Sequence, residues 1–146
     1  MRYYIRENHK PEKRAELRLV VNAGSVLEDD DQRGLAHMTE HMAFRGTRKF
    51  PGNQVSSYLE SVGMRYGPDI NAFTSFDETV YMITIPTDTA AIADKGFQII
   101  SEWAHNLSFE PSTIAKDRPG ATQERRRGKG AETRRREKGD TGSGTG

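Results

Sequence analysis

The chain has 146 residues, of which 34% are hydrophobic and 29% charged, and its formal net charge is +1. Its mean hydropathy is −0.81, and the lack of any apolar run near the ~20 residues that span a bilayer excludes a membrane-spanning helix. The absence of cysteine excludes disulfides and thiolate metal sites, so any metal must be held by His and carboxylate side chains. We expect a soluble protein of unknown location, without a membrane partner or a signal peptide in this sequence.

Hydrophobic periodicity and turn residues predict a series of strands and helices in chain order. Strands are predicted at residues 1–5, 15–21, 70–73 and 78–86, and helices at residues 35–44, 53–62 and 89–107. A last helix is predicted to start at Pro111 and to be interrupted at Pro119 and Gly120, because proline inside a helix costs ~3 kcal/mol or more. This order predicts an α+β fold with helices packed on one face of a mainly antiparallel sheet.

The most informative segment is His37-Met38-Thr39-Glu40-His41. Positions i and i+4 of a helix share a face, so both imidazoles can converge on one ion, with Glu40 beside them. Two imidazoles and a free carboxylate suit a hydrolytic zinc site, in which the ion lowers the pKa of water and the carboxylate takes its proton. This H-x-x-E-H order is typical of the inverted zinc peptidases. Histidine pairs at this spacing also occur by chance on helix surfaces, but the apolar residues around this one favour a half-buried site that needs partners.

The third ligand is not determined by spacing. A catalytic zinc site takes three protein ligands and leaves one position open. His105 lies near the C-terminal end of a predicted helix, where the helix dipole favours histidine. Its position is therefore explained without a role as a metal ligand. The other candidates in the sequence are His9 in a predicted turn and the acidic residues Asp77, Glu78, Glu102, Asp117 and Glu124.

Three segments carry a resemblance to a known family: residues 18–25 (RLVVNAGS), 34–47 (GLAHMTEHMAFRGT) and 71–81 (NAFTSFDETVY). They resemble the insulinase/pitrilysin family of zinc metallopeptidases, the M16 peptidases. The resemblance implies an incomplete pitrilysin-like (LuxS-like) metallohydrolase fold, with a partial N-terminal catalytic domain at residues 1–138. Composition predicts that the Gly/Thr/Ser-rich residues 139–146 are a disordered tail.

The resemblance also implies roles for particular residues. His37 and His41 would bind one Zn²⁺ ion, and Glu40 would be the general base. Glu124, seven residues after a second acidic residue, would be the third ligand. That acidic residue, Asp117, would orient the metal ligands without binding the ion itself.

The segment Asn71, Ala72, Phe73 and Thr74 resembles the edge strand on which family members align the substrate backbone. This mode is β-augmentation, in which backbone hydrogen bonds give affinity with little sequence preference. Ordinary turn chemistry is the alternative explanation for Asn71 and Thr74.

The leading hypothesis is therefore a zinc-dependent metalloendopeptidase that hydrolyses peptides or unfolded polypeptides. Family members have at least two related domains and are often periplasmic, so we expect a missing C-terminal domain or a complementary subunit as a partner. The alternative is an inactive zinc-binding fragment that needs such a domain. A third hypothesis, a nucleic-acid-binding module, rests on residues 116–138, which hold ten Lys or Arg and four Asp or Glu. The basic run at residues 125–136 lacks interleaved aromatics, which argues against nucleic acid as a partner.

Overall fold

The structure, a computed structural model, describes residues 2–124. The basic run at residues 125–136, the tail at 139–146 and the predicted domain end at residue 138 lie outside the described residues. No helix within the described part of the chain is both long enough and apolar enough to cross a membrane.

The centre of the fold is a three-stranded antiparallel sheet in the order β1-β3-β2. The strands are β1 (Arg14–Val21), β2 (Ile70–Thr74) and β3 (Thr79–Pro86). Ile83 of β3 pairs with Leu17 of β1 on one side and Ile70 of β2 on the other, so these three apolar side chains share one face of the sheet. Both β1 and β2 are edge strands among the described residues.

Four helices accompany the sheet within residues 2–124. They are α1 (Leu35–Ala43), α2 (Gln54–Ser61), α3 (Ala90–His105) and α4, residues 111–124. Buried side chains of α1, α2 and α3 join the apolar face of the sheet in one core, so the predicted α+β architecture is confirmed. The indole Nε1 of Trp103 on α3 donates to the carbonyl of Ala43 at 2.8 Å, which fixes the end of α1 against α3.

Two predictions about secondary structure are wrong. Residues 2–5 form no strand, because Tyr3, Tyr4 and Ile5 are 79–90% exposed and no described strand pairs with them. Helix α4 runs without interruption through Pro119 and Gly120. Contacts on both sides of Pro119 offset its penalty: Ala121 is buried, and Asp117 forms an ion pair with Arg45, which follows α1.

Candidate metal centre

Helix α1 is fixed at its start by a carboxylate six residues upstream of the helix cap. The side chain of Glu28 accepts hydrogen bonds from the backbone N–H of Gly34 at 2.7 Å and of Ala36 at 2.8 Å. Gly34 has φ +99°, a left-handed conformation that glycine adopts readily. Glu28 therefore satisfies free N–H groups of the first turn and places negative charge at the positive end of the helix dipole.

The helix brings the two histidines together as the spacing predicts. The Nε2 atoms of His37 and His41 lie 3.3 Å apart, and their rings meet edge to face. Oε2 of Glu124 on α4 lies 3.2 Å from Nε2 of His41 and 3.6 Å from Nε2 of His37. These three residues form a metal-competent donor group within the described part of the chain.

The donor triangle fits a zinc ion. Ligand atoms ~2.0–2.1 Å from a tetrahedral Zn²⁺ lie roughly 3.3–3.4 Å from one another, and the three observed separations are 3.2–3.6 Å. Two imidazoles and one carboxylate are also the donor types found in catalytic zinc sites. Both rings are mostly buried, with 23% and 20% of the His37 and His41 side chains exposed, which restricts their orientations.

Asp117 lies behind this triangle. Its Oδ2 atom is 3.7 Å from Nδ1 of His41, on the side of the ring away from Glu124. The same Oδ2 accepts a hydrogen bond from Nε of Arg45 at 2.8 Å. A carboxylate facing Nδ1 favours the tautomer with the proton on that nitrogen, which leaves the lone pair of Nε2 for a metal.

Glu40 is held by a residue of the edge strand β2. Oγ1 of Thr74 donates a hydrogen bond of 2.6 Å to Oε2 of Glu40. Tyr81, a buried residue of β3 paired with Ala72, feels the charge of this carboxylate: burial and the negative charge of Glu40 raise the pKa of its phenol to about 12. The raised pKa therefore keeps this phenol protonated well into the alkaline range.

The four residues predicted to bind substrate divide between the two faces of β2. Ala72 and Thr74 are half-buried, whereas Asn71 and Phe73 are exposed on the opposite face. Oδ1 of Asn71 accepts the backbone N–H of Ala72 at 2.9 Å, so this edge amide is satisfied by its own neighbour. The side chain of Thr74 thus contacts Glu40, the candidate general base. The edge of β2 that is not paired with β3 is the part of the strand suited to pair with another backbone.

The turn after β2 is fixed by a close backbone approach. Ser25 and Val26 donate backbone hydrogen bonds to the carbonyls of Ser75 and Phe76 at 3.1 and 2.8 Å. A Cβ on Gly24 would lie 2.5 Å from the carbonyl oxygen of Ser75, so only glycine fits there without a backbone shift. This contact fixes the end of the strand that carries Thr74.

The other candidates for a third ligand lie elsewhere. Glu102 is 2% exposed and accepts hydrogen bonds from the backbone N–H of Lys49 and from Nδ2 of Asn106, both at 2.9 Å. Nδ1 of His105 is 3.2 Å from the carbonyl of Ser101 on its own helix. None of the remaining candidates, His9, Asp77 and Glu78, belongs to the donor group found among residues 2–124.

Sequence reasoning missed two residues that support this centre, Glu28 and Arg45. The capping box of the acidic loop pairs Asp29 with Gln32, and Glu28 lies six residues before the α1 cap, too far for a local capping motif to indicate its role. Arg45 follows His41 by four residues, a spacing that places it near the same helix face, but its partner Asp117 is 72 residues away.

The antiparallel sheet, the helices on one face and the inverted H-x-x-E-H helix define a metallohydrolase-type domain. The family model described as "Insulinase (Peptidase family M16)" matches residues 3–136. The chain therefore belongs to the insulinase family of zinc metallopeptidases, as the resemblance implied.

Two bacterial proteins illustrate the relationship. The chain is 42% identical over 127 residues to the "Probable zinc protease PqqL" of Haemophilus influenzae, covering 87% of this chain and 14% of that protein. It also resembles the crystal structure of the first half of the periplasmic protease PqqL from Escherichia coli, with a TM-score of 0.75 and 40% identity over 80% of this chain and 25% of that one. The chain thus spans about one seventh of the length of the Haemophilus influenzae protein.

Proposed function

We propose that this chain carries the metal-binding part of a zinc-dependent metalloendopeptidase, holding one Zn²⁺ ion. The observation that carries the proposal is the convergence of His37, His41 and Glu124 in a triangle with sides of 3.2–3.6 Å. The names of the relatives, probable zinc proteases, support the same activity.

The residues have distinct roles in the proposed reaction. His37, His41 and Glu124 would hold Zn²⁺, which supplies a Lewis acid for the scissile carbonyl and makes water a stronger acid. Oε2 of Glu40 is engaged by Thr74, which leaves Oε1 to take a proton from the attacking water and return it to the leaving amine. Asp117, facing Nδ1 of His41, holds that ring in the orientation that directs Nε2 at the donor group.

The proposed substrate is a peptide or an unfolded polypeptide. An extended segment can add to the free edge of β2, where the backbone of Asn71, Ala72, Phe73 and Thr74 runs past the candidate general base. The side chain of Asn71 already accepts the N–H of Ala72, so substrate would have to displace it. Backbone recognition of this kind selects extended chains more than particular side chains.

A second candidate function follows from the small share of the relatives that the chain spans. In this candidate the chain, which matches 14% of the Haemophilus influenzae protein, would bind zinc without turnover until a complementary domain completes the site. The two candidates share the metal centre and differ in where the remaining substrate contacts come from.

Zinc affinity of the purified chain, measured by chelator competition, tests the centre. We expect one-to-one binding that Glu124→Gln weakens by at least about 10-fold, because loss of a direct ligand should cost no less than loss of an outer partner, which costs about 10–100-fold. The matched control is Glu60→Gln, which alters an exposed carboxylate of α2 outside the donor group and should leave affinity unchanged. Binding that is indifferent to Glu124→Gln contradicts the three-ligand site.

Peptide hydrolysis distinguishes the two candidates. The zinc-loaded chain is assayed alone and after mixing with the part of the Haemophilus influenzae relative that it does not match. Turnover by the chain alone supports the first candidate, and turnover only in the mixture supports the second. In either case Glu40→Gln should lower the rate at least about 100-fold while zinc affinity is retained. No turnover in both assays argues against peptidase activity.

A further inference from the structure

The Arg45 side chain lies just beyond the end of α1, four residues after His41. Its backbone N–H still donates to the carbonyl of Met42 at 3.0 Å, so the side chain starts from a fixed position on the last turn. The guanidinium is about half exposed, and its Nε donates to Oδ2 of Asp117 on α4 at 2.8 Å.

One carboxylate oxygen therefore lies between two nitrogen-bearing groups. Oδ2 of Asp117 accepts from Nε of Arg45 and is 3.7 Å from Nδ1 of His41. The Asp117 side chain is only 11% exposed, and a largely buried carboxylate needs a charged or hydrogen-bonding partner. Within residues 2–124 its ion-pair partners are Arg45 and His41.

The same pair joins the two helices that supply the metal donors. Helix α1 carries His37 and His41, and α4 carries Glu124 seven residues after Asp117. Seven residues are about two helical turns, so the Arg45 contact fixes α4 two turns before its donor. Loss of the contact would leave both the His41 ring and the distance of Glu124 from α1 less well defined.

We propose that Arg45 is a positioning residue of the metal centre, acting through Asp117 to orient His41 and to keep α4 in place. This inference rests on the proposed zinc function. It predicts that the geometry of the metal centre depends on the Arg45 guanidinium as well as on the Asp117 carboxylate that this guanidinium contacts.

The test compares Arg45→Met with Arg48→Met in the full chain. Arg48 is a nearby exposed arginine that forms no ion pair within residues 2–124. Zinc affinity by chelator competition should fall about 10-fold or more in Arg45→Met, in the range typical of outer-shell partners, and stay unchanged in Arg48→Met. The visible spectrum of the Co²⁺-substituted chain should change in Arg45→Met alone, because it reports the coordination geometry. The melting temperature of the metal-free chain separates this effect from a loss of folding.

A double-mutant cycle shows whether Arg45 acts through Asp117. If it does, adding Arg45→Met to Asp117→Asn should cause little further loss of affinity, since the two changes interrupt one connection. Arg45→Lys keeps the positive charge and should retain part of the zinc affinity that Arg45→Met loses. If Arg45→Met does not fold, the comparison is made with Arg45→Lys instead.

Three results overturn the inference. Unchanged affinity and an unchanged Co²⁺ spectrum in Arg45→Met exclude a role for Arg45 while leaving the zinc site intact. Additive losses from Arg45→Met and Asp117→Asn exclude action through Asp117. Failure of the unmodified chain to bind Zn²⁺ removes the proposed function and this inference together.

Discussion

The hydrogen bond from Thr74 to Glu40 illustrates what a single residue adds beyond its sequence context. The resemblance assigns Thr74 to substrate binding, whereas its hydroxyl lies 2.6 Å from Oε2 of the candidate general base. The contact joins residues 34 positions apart, so no local pattern could predict it. Alternation does predict that Thr74 and Ala72 share a face, and the half-buried positions of both agree with that.

Replacement of Thr74 should affect turnover and not metal binding. In an assay that shows peptidase activity, Thr74→Val is expected to lower kcat about 10–100-fold with little change in KM, because the carboxylate loses its fixed orientation. Thr74→Ser keeps the hydroxyl and should retain most of the activity. Zinc affinity should remain unchanged in both variants, and a loss of affinity in Thr74→Val would show that the residue supports the ligands instead.

The raised pKa of Tyr81 predicts that the folded chain loses stability at alkaline pH. Its pKa is raised to about 12 in the folded chain from about 10 when unfolded, so the unfolded phenol ionises first and stability falls as pH rises above 10. Between pH 9 and pH 11 this residue should remove about 1.4 kcal/mol of unfolding free energy. Urea unfolding of the unmodified chain and Tyr81→Phe at both pH values measures the difference. Equal losses in the two proteins would contradict the assignment.

Among the individual elements, the local sequence predicts helix α1 better than helix α4. The apolar periodicity around His37 predicts α1 within one residue of its observed end at Ala43. Local sequence rules predict an interruption of α4 at Pro119. The helix nevertheless continues, because Ala121 is buried and Asp117 is paired with Arg45. Contacts with distant residues override a local penalty there, and propensity alone contains no information about them.

The cap on α1 should be measurable in stability. Glu28→Ala removes two hydrogen bonds to first-turn N–H groups and a favourable charge at the helix start, so we expect a loss of about 1–2 kcal/mol. Urea unfolding of the metal-free chain measures it. Glu7→Ala, in the exposed N-terminal segment, is the matched control and should be neutral. A neutral Glu28→Ala would mean that water replaces the carboxylate without cost.

Over the whole molecule, the sequence determines local relationships and leaves distant ones open. Two histidines four residues apart converge because the helix period requires it, whereas Glu124 reaches His41 across 83 residues. Only the resemblance singled out Glu124 from the acidic candidates. The α+β architecture was predictable because strand alternation and helix periodicity are strong in this chain. The N-terminal strand prediction failed because alternation does not supply a pairing partner.

Glu102 makes the stability of the whole domain depend on pH in the acid range. Burial alone would raise the pKa of its carboxyl, but hydrogen bonds from the Lys49 backbone and Asn106 outweigh burial and lower the pKa. Its contribution is therefore present above the unfolded pKa and is lost as pH falls through the lower folded pKa. Glu102→Gln should destabilise the chain by about 2–3 kcal/mol near neutral pH, because a charge-assisted network is weakened. The gap between variant and unmodified chain should narrow in acid.

Thermal or urea unfolding at pH 7 and below pH 4 tests this expectation. A stability gap that stays constant with pH would mean that the Glu102 charge is not what stabilises the folded chain.

The division of the donors between two helices has a consequence for the lifetime of the chain. A metal bound by His37, His41 and Glu124 would be a reversible cross-link between α1 and α4, and its binding free energy would add to the stability of α4. When zinc is scarce, α4 would separate first and present its backbone to proteases. Metal supply would then govern how rapidly the chain is degraded, independently of any peptide that it cleaves.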